Sequence, residues 1–438
     1  MKKAAFVFGA IAMLAVTPQA GAQQRMSCEA LSSRSLPNTT IASARTIRSS
    51  TDLQLPSGGR PGADQALQGV PAFCSVAATL RPSPDSEIKI EVWMPVENWN
   101  GKFQAVGNGG FAGSIEYAAM AEALKSGYAT SSTDGGHVGE SSDGSFALGH
   151  PEKVVDLGYR AVHEMTVTAK ALIAAFYGNA PKFSYWRGCS QGGRQGLREA
   201  QQYPADYDGI IAGAAAANQP NHYSGSLWVA SATLKDAASF IPREKYPLIN
   251  KAVLAACDAK DGVTDGVLED PRLCDFDPKS LVCTSAAGES CLTLEQAIAA
   301  RQIYAPAKNP RTGEEIWPGL MRGSELGWAA QAGGPAPIRL AIDFFKYLVF
   351  ENPNWDWRTF DFDRDVVSAT AKVGPIVSTM NPDLEAFRSR GGKLIMYHGW
   401  NDQAIAPENS VKYYTSVVDR FGKERADQFV RLFMAPGV

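Results

Sequence analysis

A strand, a tight turn and a helix follow one another directly at residues 182–202, and this stretch constrains the fold more than any other. KFSYWRG (182–188) has the pattern of a strand, and GGRQGLREAQQ (192–202) that of a helix. Between them GCSQG (188–192) fits G-x-S-x-G, in which a serine hydroxyl stands exposed on a sharp strand-to-helix turn. Ser190 is therefore the predicted nucleophile, and the alternative is a glycine-rich turn without chemistry.

The rest of the chain alternates strand-like and helical patterns. Further strands are predicted at 87–95, 103–110, 128–136, 207–215, 393–399 and 430–437, and a long helix at 158–178. Strands that alternate with helices predict the α/β class, with a mostly parallel sheet and helices on both faces. Residues 217–380 interrupt this alternation and predict an inserted domain, which leaves 23–216 and 381–438 as a discontinuous catalytic domain.

The N-terminus has the three parts of a secretory signal peptide. Lys2 and Lys3 are charged, 4–16 is an apolar run too short to span a bilayer, and 20–22 is a small-residue cleavage site. Residues 1–22 are therefore expected to be removed, which makes the protein secreted or periplasmic. An uncleaved signal anchor is the alternative.

Charge and hydropathy argue against two kinds of partner. The chain has 42 Lys and Arg against 45 Asp and Glu, and it has no basic block that would indicate nucleic acid. No later segment is long and apolar enough to span a bilayer, so no membrane partner is expected.

Two further parts of a serine hydrolase site can be placed. An oxyanion hole at such a turn uses the N–H after the serine, which belongs to Gln191, and a second N–H from an early glycine-rich loop. GNGGFAG (107–113) follows a predicted strand and offers Gly110, although a tight turn alone is equally compatible with it.

Asp402 follows the strand at 393–399 and is the predicted orienting acid. His398, on the same strand end, is interpreted as a hydrogen-bonded turn histidine.

No histidine occupies the position expected for the base. In this arrangement the triad runs Ser, Asp or Glu, then His along the chain, and none of the five histidines follows Asp402. The last predicted strand ends immediately before Val438. The base is therefore expected beyond Val438, because a serine without a base is a weak nucleophile.

The seven cysteines also leave one residue without a partner, and an exported protein is expected to pair its cysteines. Local spacing suggests the pairs Cys28–Cys74, Cys257–Cys274 and Cys283–Cys291. Cys189, beside the predicted nucleophile, is left unpaired. A partner near the expected histidine beyond Val438 would explain both shortages, because a disulfide there would tether the histidine to Ser190.

Taken together, the motifs resemble those of the tannase and feruloyl esterase family, which includes bacterial hydrolases of aromatic monoesters. The similar segments are GCSQGGRQGL, GNGGFAGSI, TDGGH, YDGIIAGA, CDAKDGVTDGV and YHGWND. The resemblance implies an α/β-hydrolase core with a lid domain inserted before the acid. It also implies a His–Cys pair after a Pro–Gly turn, whose cysteine bonds the one beside the serine. APGV (435–438) stops short of that pair, so the chain as written lacks the catalytic histidine.

An acidic loop in the predicted lid is a candidate calcium site. The predicted ligands are the carboxylates of Asp258, Asp261 and Asp265 and the carbonyls of Val263 and Val267. Calcium takes six to eight oxygen ligands at flexible geometry, but the spacing is not that of an EF-hand, and a solvated acidic turn is the alternative. The resemblance implies that calcium binds here, and its place in the lid makes the expected role structural.

The predicted function is hydrolysis of an ester between an aromatic acid, such as ferulic or gallic acid, and an alcohol or sugar. The expected substrate is a small aromatic ester, either free or attached to plant polysaccharide or polyphenol. Phe111 and the tryptophans of 217–380 are candidates for stacking on its ring, with burial in the core as the alternative. Three other functions stay open: an inactive homologue that binds aromatic or glycan ligands, a hydrolase of terephthalate-type monoesters, and another hydrolase such as a peptidase or lipase.

Overall fold

The computed structural model describes residues 25–49, 52–53, 63–284 and 288–438, and the predicted signal peptide lies outside them. Its strands are β1 (Thr39–Ile47), β2 (Phe73–Leu80), β3 (Ile88–Pro95), β4 (Lys102–Val106), β5 (Ala129–Thr133), β6 (Phe183–Cys189), β7 (Gly209–Gly213), β8 (Ala307–Lys308), β9 (Glu315–Trp317), β10 (Lys393–Gly399) and β11 (Val430–Ala435). Within the described residues, nine of them form one sheet in the order β1-β2-β3-β5-β4-β6-β7-β10-β11.

The sheet is parallel over most of its width. From β5 through β4, β6, β7 and β10 to β11 every pair is parallel, which confirms the predicted mostly parallel sheet. The other end is antiparallel, because β1 pairs with β2, β2 with β3 and β3 with β5. No predicted strand corresponds to β1 or β2.

Helices flank the sheet. They are α1 (Ala63–Ala66), α2 (Tyr117–Lys125), α3 (Pro151–Val155), α4 (Ala161–Tyr177), α5 (Gln191–Gln202), α6 (Gln219–Leu234), α7 (Tyr246–Cys257), α8 (Leu294–Tyr304), α9 (Ala329–Ala332), α10 (Arg339–Asp343), α11 (Arg364–Lys372), α12 (Gly374–Val377), α13 (Glu385–Ser389), α14 (Glu408–Phe421) and α15 (Lys423–Ala426), with π-helical turns at Asp156–Arg160 and Phe344–Val349. The apolar stripe that predicted α4 is buried along its length, from Val162 to Phe176. The helix ends at Gly178, whose φ of 78° is a left-handed C-cap that glycine adopts without strain.

The interval between β7 and β10 adds no described strand to the large sheet. It forms α6 to α13 and a two-stranded sheet of β8 and β9. One hydrophobic cluster, which includes the fully buried Trp328, contains only residues of this interval. A second cluster joins the interval to the core, since Phe111 packs there with Tyr223 and Phe344. The predicted lid domain, 217–380, falls inside the interval, and its independence as a domain stays a prediction.

The three predicted disulfides are present, and Cys189 is free and exposed. They join Cys28 to Cys74, Cys257 to Cys274 and Cys283 to Cys291. Of the helices in the described parts of the chain, none is long and apolar enough to cross a membrane.

Candidate active site

Ser190 lies at the turn between β6 and α5, as the G-x-S-x-G pattern predicts. Its φ of 60° and ψ of −117° form a backbone conformation that is strained for any residue but glycine. The turn is held from both sides, because Ser190 N donates to Gly213 O at 3.0 Å and Ala216 N donates to Ser190 O at 3.2 Å. Since α5 begins directly after Ser190, its N-terminal dipole favours negative charge beside the hydroxyl.

Two glycines of the motifs are required by close backbone contacts. A Cβ on Gly188 would stand 2.5 Å from the backbone of Gly192, the second residue of α5. A Cβ on Gly110 would stand 2.1 Å from Ser141 O, and the φ of Gly110 is 54°. Larger residues at either position would push the serine turn or the glycine-rich loop out of place.

The glycine-rich loop and the serine turn meet at one small cavity of about 50 Å³, which Gly110, Ser190 and Gln191 line together. A pair of amides joins the two segments. Asn108 N donates to Gln195 Oε1 and Gln195 Nε2 donates to Asn108 Oδ1, both at 3.0 Å. This arrangement places both predicted oxyanion donors at the cavity, while their role stays a prediction.

A fully buried arginine orients the side chain of Gln191. Arg194 Nε donates to Gln191 Oε1 at 2.8 Å, and Gln219 Nε2 donates to the same oxygen at 2.8 Å. The remaining guanidinium hydrogens bond to backbone carbonyls, including Leu157 O and Gly158 O. Burial lowers the pKa of Arg194 to about 9, so it stays charged at neutral pH one helical turn from the serine. Sequence reasoning missed this residue.

Asp402 follows β10, and both of its carboxylate oxygens accept hydrogen bonds. Oδ1 accepts from Ala404 N at 2.8 Å and Ile405 N at 3.0 Å, and Oδ2 lies 3.1 Å from His398 Nε2. Burial by itself raises the pKa of Asp402, but the bonds from His398 and the two backbone N–H groups outweigh it and lower the pKa. His398 is also bonded to Ser410, so it is the hydrogen-bonded histidine that the sequence indicated.

Among the residues that the structure describes, no histidine hydrogen-bonds to Ser190. His137 is buried and stacks on Phe146 with ring centroids 3.6 Å apart. His150 and His163 pair with carboxylates away from the cavity. The base therefore stays the sequence prediction of a histidine beyond Val438.

His222 does reach the cavity, which the sequence did not reveal. α6 presents four residues to the cavity at the spacing of one helix face, namely Gln219, His222, Tyr223 and Ser226. Ala404 and Ile405, which follow the predicted acid, line it as well. A helix-face pattern after a strand would have been the signal, and α6 displays none because it buries polar and apolar residues alike.

The interval between β7 and β10 also covers the cavity, because Ile338 and Leu340 line it. The residue between them, Arg339, pairs with Asp143 at 2.9 Å and with Glu140 at 3.3 Å, in the segment that contacts the glycine-rich loop. The cavity is small beside ligand pockets in general, which usually exceed roughly 300 Å³. Phe111 and the tryptophans proposed for stacking pack in hydrophobic clusters and do not line the cavity.

The acidic loop is folded around its own backbone N–H groups. Asp258 accepts from Gly266 N with both oxygens, Asp261 from Val263 N and Asp265 from Val267 N. Across the described parts of the chain, no three His, Cys, Asp or Glu side chains lie close enough to hold a metal ion. As arranged here the residues do not fit calcium, and the calcium site stays a prediction.

Comparison with known proteins identifies relatives of this site. Residues 74–438 match the family described as tannase and feruloyl esterase. An uncharacterized esterase of Xanthomonas campestris is 39% identical over 98% of this chain and 78% of its own length. A probable feruloyl esterase B-2 of Aspergillus oryzae is 34% identical over 92% of this chain and 76% of its own length.

Solved structures agree with these matches. Feruloyl esterase B from Aspergillus oryzae superposes with a TM-score of 0.86 at 32% identity, over 94% of this chain and 82% of that chain. Tannin acyl hydrolase from Aspergillus niger has a TM-score of 0.75 at 22% identity, over 92% of this chain and 80% of that chain, and supports the α/β-hydrolase fold alone. The chain belongs to the tannase and feruloyl esterase family of ester hydrolases.

Proposed function

We propose that this protein hydrolyses carboxylic esters of aromatic acids through an acyl-enzyme formed on Ser190. The observation that carries the proposal is one cavity lined by Ser190, by the oxyanion candidates Gly110 and Gln191, and by Ile405 from the loop of Asp402. The serine turn, the glycine-rich loop and the acid loop are three separate segments that meet at this cavity, as acyl transfer requires.

The chemistry follows from this arrangement. Ser190 Oγ attacks the ester carbonyl while the base removes its proton, and the N–H groups of Gly110 and Gln191 stabilise the oxyanion. The C–O bond to the alcohol breaks as the base returns the proton to the leaving oxygen. Water then attacks the acyl-enzyme, and the free acid leaves as Ser190 regains its proton. The base is the histidine predicted beyond Val438, with Asp402 orienting its ring.

The substrate class rests on relatives and on the cavity. The related Aspergillus oryzae proteins carry the name feruloyl esterase, and the walls from Tyr223, Ile338 and Leu340 suit an aromatic ring. Ferulic and gallic esters are the proposed substrates.

Three disulfides support a secreted or periplasmic location, because such bonds persist in oxidising compartments.

A second candidate function is binding of aromatic or glycan ligands without turnover. It is favoured by the observation that, within the described residues, no histidine hydrogen-bonds to Ser190. The two functions differ in whether Ser190 ever becomes acylated.

Hydrolysis of methyl ferulate and methyl gallate tests the proposal. The 438-residue chain is expected to show only the residual activity of a site without its base, roughly 10³–10⁴-fold over water. A C-terminal extension that carries a His–Cys pair should restore turnover, and Ser190→Ala should abolish it again. If the extended protein binds these esters but never cleaves them, the binding function is correct. If the 438-residue chain already turns over at ordinary enzymatic rates, the predicted base is wrong.

A further inference from the structure

Three polar atoms of residues that line the cavity have no hydrogen-bond partner among the described residues. They are His222 Nδ1, Gln191 Nε2 and Gln219 Oε1. Their side chains are almost completely buried, with 6%, 1% and 1% of their surface exposed. Buried polar atoms are nearly always paired, because leaving one unpaired is unfavourable. Three such atoms on residues of one cavity are candidate contacts for a bound molecule.

The tautomer of His222 is set by its second nitrogen. Nε2 lies 2.9 Å from Ala404 O, and a carbonyl only accepts, so Nε2 carries the hydrogen. Burial lowers the pKa of His222, which keeps the ring neutral. Nδ1 is consequently a lone-pair acceptor, and a ligand that satisfies it must donate a hydrogen.

The amide of Gln191 is equally fixed. Its Oε1 accepts from Arg194 Nε and from Gln219 Nε2, so the oxygen and nitrogen positions cannot exchange without losing both bonds. Nε2 is thus a donor. Around the cavity α6 offers two side-chain acceptors, His222 Nδ1 and Gln219 Oε1, and Gln191 offers one donor next to the nucleophile. This set suits a ligand with both hydroxyl hydrogens and an acceptor oxygen.

We infer that His222 is a specificity-determining residue whose Nδ1 accepts a hydrogen bond from a free ring hydroxyl of the substrate's aromatic acid. Gln191 Nε2 donates to an oxygen of the same substrate. This inference rests on the proposed function and narrows its substrate class to phenolic acids with an unblocked hydroxyl. An acid whose ring hydroxyls are all methylated cannot donate, and it would leave Nδ1 buried and unpaired.

Binding to the Ser190→Ala protein tests the inference without any need for turnover. Methyl ferulate and methyl 3,4-dimethoxycinnamate differ in one blocked hydroxyl, and methyl gallate and methyl 3,4,5-trimethoxybenzoate give a second pair. Calorimetric titration should show that the free phenol binds about tenfold tighter in at least one pair. His222→Phe in the same background should bring that ratio to about one.

A matched control separates recognition from damage to the loop. Gln331 Nε2 also donates to Ala404 O, at 3.0 Å, but Gln331 does not line the cavity. Gln331→Leu should therefore remove one hydrogen bond to Ala404 O, as His222→Phe does, and the protein should still bind the free phenol more tightly. If it removes the preference as fully as His222→Phe does, the effect belongs to the loop and the inference is wrong.

Other outcomes also decide the question. Equal affinity for both members of both pairs in the Ser190→Ala protein overturns the inference, even if His222→Phe fails to fold. A His222→Phe protein that keeps the preference overturns it too. Failure of the proposed function gives a different pair of results. The Ser190→Ala protein would still prefer the free phenol, and the preference would depend on His222. The extended protein with Ser190 intact would nevertheless cleave no ester.

Discussion

His398 Nε2 lies 3.1 Å from Asp402 Oδ2, so the predicted catalytic acid is positioned by a histidine four residues earlier on the same strand end. The other ring nitrogen, Nδ1, is bonded to Ser410 Oγ at 2.8 Å. Because Asp402 Oδ1 accepts two backbone N–H groups, the carboxylate is held on both sides. We regard His398 as a positioning residue for Asp402.

Replacing His398 with Leu should raise the pKa of Asp402, since the bond from His398 is the largest influence that lowers it. An NMR titration of the labelled Asp402 carboxyl would measure the shift directly. In the active, extended protein the acid limb of the pH–rate profile should move upward with little change in KM. Ser410→Ala, which leaves the His398–Asp402 contact in place, should have a smaller effect. An unchanged Asp402 pKa in His398→Leu would contradict this role.

The strained backbone of Ser190 makes a prediction about stability. Ser190→Gly and Ser190→Ala both remove the hydroxyl, but only glycine adopts a φ of 60° and ψ of −117° without strain. The glycine variant should therefore be the more stable by about 1 kcal/mol in denaturant unfolding. Ser416 in α14 is a matched control, because there glycine should be the less stable variant by a similar amount. The strain argument fails if glycine is also the worse residue at position 190.

The buried ring of His137 makes a prediction about pH. Burial, with a smaller contribution from Lys153, lowers its pKa from 6.5 to about 4. The unfolded chain takes up this proton below about pH 6.5, whereas the folded chain does so only near pH 4. The neutral His137 ring therefore makes its full contribution to the unfolding free energy above the unfolded pKa of about 6.5. As the pH falls toward 4, the protein loses roughly 3 kcal/mol of unfolding free energy in total from this group.

His137→Phe should consequently remove a contribution that makes the unfolding free energy increase with pH over this range. Asp134, whose pKa is raised to about 7 by burial, acts in the opposite direction over the same range, so the difference between variant and wild type is the relevant quantity. Phe146→Leu removes the stacked ring but keeps the titrating group, and it should lower stability without changing the slope. Equal slopes for wild type and His137→Phe would reject the assignment.

The calcium prediction from the sequence is tested by thermal unfolding. Chelator should lower the Tm and added calcium should restore it, because an ion bound only to the folded state stabilises it by mass action. Asp258→Ala combined with Asp261→Ala should remove the response, while Asp275→Ala, which lies just outside the disulfide-bounded loop, should keep it. A Tm indifferent to both additions would mean that the loop is held without calcium, by its disulfide and by the backbone N–H groups that bond its carboxylates.

The parallel half of the fold was predictable from sequence because its signals are local. Strands such as β10, KLIMYHG, carry apolar residues that mark them, and the α4 stripe repeats at helical spacing. The buried β5, ATSST, is polar, and it was placed by its position before a glycine-rich turn. β1 escaped prediction because it lies at the edge of the sheet, where four of its nine residues are exposed and its sequence TTIASARTI carries little apolar alternation. β2 lies between β1 and β3 and is mostly buried, so this reason does not apply to it.

The candidate site was predictable where one motif carries both geometry and chemistry. Ser190 and Gln191 share the G-x-S-x-G turn, and Asp402 follows a recognisable buried strand. Arg194 and His222 were not found because their roles depend on burial and on partners distant in sequence, such as Leu157 and Ala404. No pattern of neighbouring residues encodes those contacts.

β7 and β10 are direct neighbours in the sheet, with Gly213 opposite Tyr397, although the whole interval 214–392 separates them in the chain. The chain therefore departs from the sheet and returns to the same place. Doubling the length of such an excursion changes its closure entropy by only about 0.6 kcal/mol. Evolution can thus lengthen, shorten or exchange the excursion, and with it the cover over the cavity, while the strand that delivers Asp402 keeps its register beside the strand that supports Ser190.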